Sequence, residues 1–106
     1  MENNKTFCPA QEAFKILANK WSLMIIKELS DDKLRFNRIK KNIEGISSRE
    51  LSKRLEVLEK VGAIYRNIIS TKPIMVEYSL TEAGRELTYA IEILHNWTIK
   101  YKKRTR

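Results

Sequence analysis

One stretch of the chain, Ile46-Ser47-Ser48-Arg49-Glu50-Leu51 and onward to Gly62, spells out the start, the stop and both faces of a helix. Ser47 is suited to cap the N-terminus, and Glu50 stands where a capping box places a carboxylate that reaches back to the cap. Ile46 and Leu51 occupy the positions of a hydrophobic staple, which fixes the angle of entry. Gly62 supplies the residue that turns left-handed after the last periodic position. Leu51, Leu55, Leu58 and Val61 recur on one side at helical spacing and require a core to pack on. Arg49, Ser52, Lys53, Glu56 and Lys60 occupy the other side. A helix of about 47–61 is thereby held by one face and free to offer hydrogen-bonding groups on the other.

What the chain can present that face to is bounded by size and charge. With 106 residues it is read as a single domain, 1–106, with room for one hydrophobic core. The formal charge is +8, from 21 Lys and Arg against 13 Asp and Glu. Such an excess favours a polyanion, nucleic acid before an anionic membrane surface, with an inert basic surface as the bland alternative. The first seven residues, Met1 to Phe7, lack the apolar run of a secretory signal, and Leu23-Met24-Ile25-Ile26 is too short to cross a bilayer. A cytoplasmic protein is expected. Cys8 has no second cysteine to pair with inside the chain, which suits a reducing compartment.

Taken in order, Cys8-Pro9 opens a first helix with Ala13, Phe14 and Leu17 as its apolar stripe, ending near Asn19. A second runs from Lys20 or Trp21 to Leu29. Its buried face is read as Trp21, Met24, Ile25 and Leu29, widened by Leu23 and Ile26. Leu34-Arg35-Phe36 is a very short strand leading into a third helix, with Phe36, Ile39 and Ile43 inward and Arg35, Arg38, Lys40 and Lys41 on a basic outer side. A turn at 42–45 then feeds the capped helix. Beyond Gly62 the pattern becomes β-branched and aromatic over 63–69 and alternates again over 75–80, giving a wing hairpin at 63–80 with its turn in 70–74. A lone hairpin is marginal in water, so the short strand at 34–36 is a candidate third member.

Thr81 caps a last helix of about 81–102. Leu80, Leu87, Ala90, Leu94, Trp97 and Tyr101 recur along it at alternating spacings of three and four, broadened by Ile91 and Ile93. Gly84 in its first turn costs about 1 kcal/mol relative to alanine, which points to close packing there. So long an apolar stripe exceeds what a small globule covers and calls for a partner, most simply a second copy. The tail, Lys100 to Arg106, is expected to fray and to lie near phosphates. The fold class is therefore α+β, mostly α: a winged helix-turn-helix with a two- to three-stranded wing and a long C-terminal dimerisation helix.

Particular residues carry a resemblance further. Cys8-Pro9, Asn19-Lys20-Trp21-Ser22-Leu23, Leu34-Arg35-Phe36-Asn37 and Gly45-Ile46-Ser47 stand in an order and spacing similar to the HxlR family of transcriptional regulators. Leu51, Leu55, Leu58-Glu59, Gly62, Val76-Glu77-Tyr78-Ser79-Leu80-Thr81 and Gly84 continue it. The resemblance covers roughly Cys8 to Trp97. It implies a homodimeric DNA-binding regulator related to the MarR group, more often a repressor, that pairs through the last helix with help from the first. Phe14, Leu87, Ala90, Ile91, Leu94, Trp97 and Tyr101 are the interface residues this implies. It also implies a sensor role for Cys8 toward a small electrophile or oxidant, which a thiolate stabilised at a helix N-terminus would suit. The alternative for Cys8 is a small buried apolar residue.

Asn19 stands where the family usually has glycine, and asparagine tolerates the same turn. Glu56 on the outward face departs from a basic or amide residue; it repels phosphate yet could accept from a cytosine amino group. The proposed partner is double-stranded DNA. Ser47, Ser48, Arg49, Ser52 and Lys53 are the candidates for the major groove, with Arg49 the best match to the two acceptors of guanine, or else a solvated cation. Lys72 at the hairpin tip suits the backbone or minor groove, and Arg35, Asn37, Arg38 and Lys40 suit flanking phosphates. His95 reads as a packing or interface residue. One histidine and one cysteine make no metal set, and neither a phosphate loop nor a nucleophile motif is present, so no metal, cofactor or enzymatic activity is expected. The rival reading is a non-enzymatic winged-helix interaction module that binds RNA or protein without reading DNA sequence. A membrane-surface adaptor is disfavoured because the last helix carries a seam for another helix.

Overall fold

The computed structural model describes residues 8–102. Met1 to Phe7, where the absence of a signal was read, and residues 103–106 of the basic tail lie outside them. The elements follow the order α1 (Pro9–Leu17), α2 (Lys20–Leu29), β1 (Leu34–Arg35), α3 (Phe36–Asn42), α4 (Ser48–Lys60), β2 (Ile64–Thr71), β3 (Ile74–Leu80) and α5 (Glu82–Tyr101). The three strands form one antiparallel sheet in the order β1-β3-β2. Leu34 pairs with Tyr78 and Arg35 with Glu77, so the two-residue β1 does join the hairpin as its third strand. The register between β2 and β3 slips between Ile68 and Ser70, a bulge that frees Ile69 from pairing. Lys72 and Pro73 make the hairpin tip, a tighter turn than the five residues read from sequence.

The core is the meeting point of α2, α3, α4 and the root of the wing. Ile25, Ile26, Leu29, Ile39, Ile43, Ile46, Leu51, Leu55, Leu58, Ala63, Ile64 and Leu80 are buried there. In α2, which packs against both α4 and α5, the buried face is rotated from the expected one: Ser22 is fully enclosed while Met24 is exposed. Val61 is also exposed, since it is the C-cap of α4 and the chain is already turning toward Gly62. In α1 no residue is fully buried; Ile16 and Leu17 lean on the core, and Phe14 faces outward rather than behind the helix.

Two glycines flank α4, one in the turn before it and one just after its C-cap. Gly45 and Gly62 have φ of 90° and 84°, left-handed values that side chains resist. Gly84 serves a different purpose. It is buried, and a methyl group there would collide with the Ala63 carbonyl, which lets α5 lie directly against the base of the wing. The junction is tied twice: Thr81 Oγ1 accepts from the Gly84 amide at 3.0 Å and donates to the Gly62 carbonyl at 2.6 Å. Leu80, counted both in the wing strand and in the stripe of the last helix, is the buried final residue of β3 and not part of α5.

Candidate nucleic-acid interface

The geometry of α4 begins with its cap. Ser47 Oγ accepts from the Glu50 amide at 3.0 Å, and the Leu51 amide donates to the Ser47 carbonyl at 2.9 Å. The second half of the expected capping box is not made. The Glu50 carboxylate turns along the helix and lies 3.1 Å from Arg54 Nε, an i,i+4 ion pair. Leu51, Leu55 and Leu58 bury the inner face, burial that contributes about 2 kcal/mol for each side chain. Ser48, Arg49, Ser52, Lys53 and Glu56 are all exposed on the outer side, together with the capping Ser47. Glu56 has no hydrogen bond or ion pair among the described residues.

The supporting cations lie on two other elements. Arg35, Asn37 and Arg38, at the β1–α3 junction, form one wall of an open concavity whose other wall is Ile74, Met75, Val76 and Tyr78 of β3. All three of the polar residues are exposed, whereas Lys40 is half-buried. Asn42 Nδ2 donates to Glu28 Oε1 at 3.0 Å and ties the end of α3 to α2. Lys72 is exposed at the hairpin tip and does not line that concavity. The fold thus gathers Ser47, Ser48, Arg49, Ser52 and Lys53 on one face, and Arg35, Asn37 and Arg38 at the base of the wing.

One contact had no counterpart in the sequence reading. Lys20 Nζ sits 4.6 Å from the centre of the Trp21 ring, and the far edge of that ring lies 3.9 Å from where a Gly45 Cβ would be. Lys20 received no role and Trp21 only a core role from sequence, because nothing in the local pattern shows that α2 begins beside the turn into α4. A lysine-tryptophan pair in a first helical turn is the only signal the chain offers.

The remaining named residues lie away from α4. Leu87 and Ile91 lean on the protomer's own core, while Phe14, Ala90, Leu94, Trp97 and Tyr101 are exposed, with the Trp97 and Tyr101 rings 5.7 Å apart. Cys8 is exposed at the N-cap of α1, which removes the buried alternative for its thiol. His95 is exposed beside a cleft between α2 and α5. Among the described residues no cluster of His, Cys, Asp or Glu is placed to hold a metal ion, and no helix is long and apolar enough to cross a membrane.

A capped helix pinned by leucines, a short helix before it and, after it, a hairpin joined by β1 into a three-stranded wing form the DNA-binding arrangement of a winged helix. The family model described as HxlR-like helix-turn-helix matches residues 16–106. The chain belongs to this family. The HTH-type transcriptional regulator YdeP of Bacillus subtilis is 39% identical over 97 residues, spanning 92% of this chain and 76% of that protein. The reduced form of the transcriptional regulator YodB from B. subtilis superposes with a TM-score of 0.78 at 32% identity, over 90% of this chain and 94% of the other. YodB has also been solved bound to quinone and after diamide treatment. The redox regulator HypR in its reduced form superposes with a TM-score of 0.83 at 29% identity, over 90% of this chain and 94% of that one. This HxlR-like chain is therefore a DNA-binding transcriptional regulator of winged-helix type.

Proposed function

We propose that the protein acts as a homodimeric repressor on a two-fold related operator, and that Cys8 makes its binding responsive to oxidants or electrophiles. The observation that carries the proposal is the outer face of α5. Tyr89, Ile93, Leu94 and Trp97 are each more than half exposed, a run of large apolar side chains with no cover in the protomer. A second copy packed on that face places two α4 helices in major grooves about one helical turn, roughly 34 Å, apart. Arg49 reads guanine through its planar fork, Ser48, Ser52 and Lys53 contact neighbouring edges or phosphates, and Arg35, Asn37, Arg38, Lys40 and Lys72 neutralise the backbone. Occupancy of promoter DNA is enough for repression and needs no further surface.

Cys8 supports the regulatory half of the proposal by position. It is exposed at the start of α1, the helix whose Phe14 is 65% exposed and available to the same seam. Alkylation or oxidation there alters how two copies meet, and a small change in their angle moves both α4 helices off their spacing. The quinone-bound and diamide-treated forms of YodB show that a relative of this fold meets such reagents.

Selection from a random duplex library tests the reading. A two-fold symmetric motif is expected from the reduced protein and its loss after diamide, with Cys8→Ser retaining the motif under both conditions. Recovery of no motif would favour an interaction module that reads no DNA sequence. An equal response of wild type and Cys8→Ser would remove the sensor role.

A further inference from the structure

The start of α2 is built next to the entry of α4. Asn19 Oδ1 accepts from the Trp21 amide at 2.8 Å and fixes the first turn of α2. From that turn the half-buried Trp21 indole packs against the core on one side and brings its far edge to 3.9 Å from where a Gly45 Cβ would stand. Gly45 stands two residues before the Ser47 cap, in the turn whose left-handed conformation aims α4. Lys20 is exposed, with its ammonium over the indole at 4.6 Å. It has no carboxylate partner among the described residues, and the first turn of α2 contains no acidic residue.

We infer that Lys20 contacts a DNA phosphate on the wall of the major groove that α4 enters, and that Trp21 is the positioning residue that holds it there. The inference rests on the proposal that α4 is the recognition helix. A helix inserted by its first turns brings the groove-edge phosphates up to the loop that precedes it, which here is the Gly45 turn. The indole spans the distance between that turn and Lys20, so the ammonium stands beside the same phosphates. Three features suit it to them. A compact charge on a flexible stem binds phosphate as a point charge. A cation–π contact orients the ammonium without neutralising it, as a carboxylate would. The helix dipole also disfavours a cation at this end in the free protein, an unfavourable interaction that an approaching phosphate reverses.

The test measures binding of the full-length protein to the duplex recovered by the selection above, across NaCl from about 50 to 200 mM. Lys20→Gln, which removes one phosphate contact from each protomer of the dimer, is expected to weaken binding roughly twentyfold near physiological salt and to flatten the slope of log K against log salt by about 1.8, the value of two lost phosphate contacts. Lys20→Arg retains the wild-type slope. Trp21→Phe, which keeps an apolar ring in the core but shortens the reach to Gly45, gives a loss between the two. The urea midpoint of Lys20→Gln should equal that of wild type, since the side chain is exposed. An unchanged slope in Lys20→Gln overturns the assignment while leaving α4 as the reader. Failure of the selection to yield any duplex overturns the recognition-helix reading itself, before Lys20 is examined.

Discussion

One absent methyl group sets the geometry where the wing meets α5. On propensity, Gly84→Ala would stabilise the first turn of α5 by roughly 1 kcal/mol. The buried site reverses the sign, because the added Cβ meets the Ala63 carbonyl, a backbone atom that cannot swing aside. Overpacking of this kind costs about 1–3 kcal/mol, so a net destabilisation is expected in urea unfolding of Gly84→Ala. A midpoint at or above that of wild type would mean the wing root yields more easily than its geometry implies. Gly84 was legible as a site of close packing. Ser22 and Met24 were not: their hydropathy argues for the reverse of their burial, and only the rotation of α2 within the packed core places the serine inside.

Among the elements, α4 was the most legible and is also the most testable. Its cap, its leucine face and its terminal glycine lie within 46–62, so local chemistry suffices to draw it. The departure at Glu50 arises within the helix too, where Arg54 one turn on attracts the carboxylate away from the cap. With Arg49 as the guanine reader, Arg49→Ala loses about 1–3 kcal/mol on the selected duplex and much less on a scrambled one. Equal losses on both, measured by fluorescence anisotropy, would reassign Arg49 to the backbone. The wing was legible as a hairpin because β2 and β3 alternate and are joined at a turn. Membership of β1 was harder, since two residues carry no periodicity, and it follows from Leu34 and Arg35 lying against Tyr78 and Glu77.

Taken together, the elements make an open shape. The radius of gyration is 16.0 Å, against about 13 Å for a compact chain of this length. Much of the excess lies in α5, a helix of 20 residues and so about 30 Å long, whose residues beyond Ile91 are all exposed. A helix with Ile93, Leu94 and Trp97 in water is expected to pair with another copy. Leu94→Glu adds a charge to that face without entering the protomer core. Sedimentation should then report one chain where wild type reports two, with duplex affinity falling roughly a hundredfold as the second half-site is lost. A two-chain mass for Leu94→Glu would place the seam elsewhere. The sequence marked Leu87 and Ile91 for that seam as well, but both lean inward on the protomer's core, because the stripe of α5 is wide enough to serve two surfaces.

Caps, periodicity and turn residues are interactions between neighbours in the chain, and for that reason the helices, the hairpin and the polar face of α4 could all be drawn from the order of residues. The family resemblance was carried by the same short-range pattern, in Trp21, Gly45 and Gly62 among others. Contacts between residues distant in the chain have no such local signature. The burial of Ser22, the outward turn of Phe14 and the approach of Trp21 to the Gly45 turn depend on how whole helices are rotated and stacked. That arrangement is fixed by the packing of the common core, to which every element contributes and which no single stretch specifies.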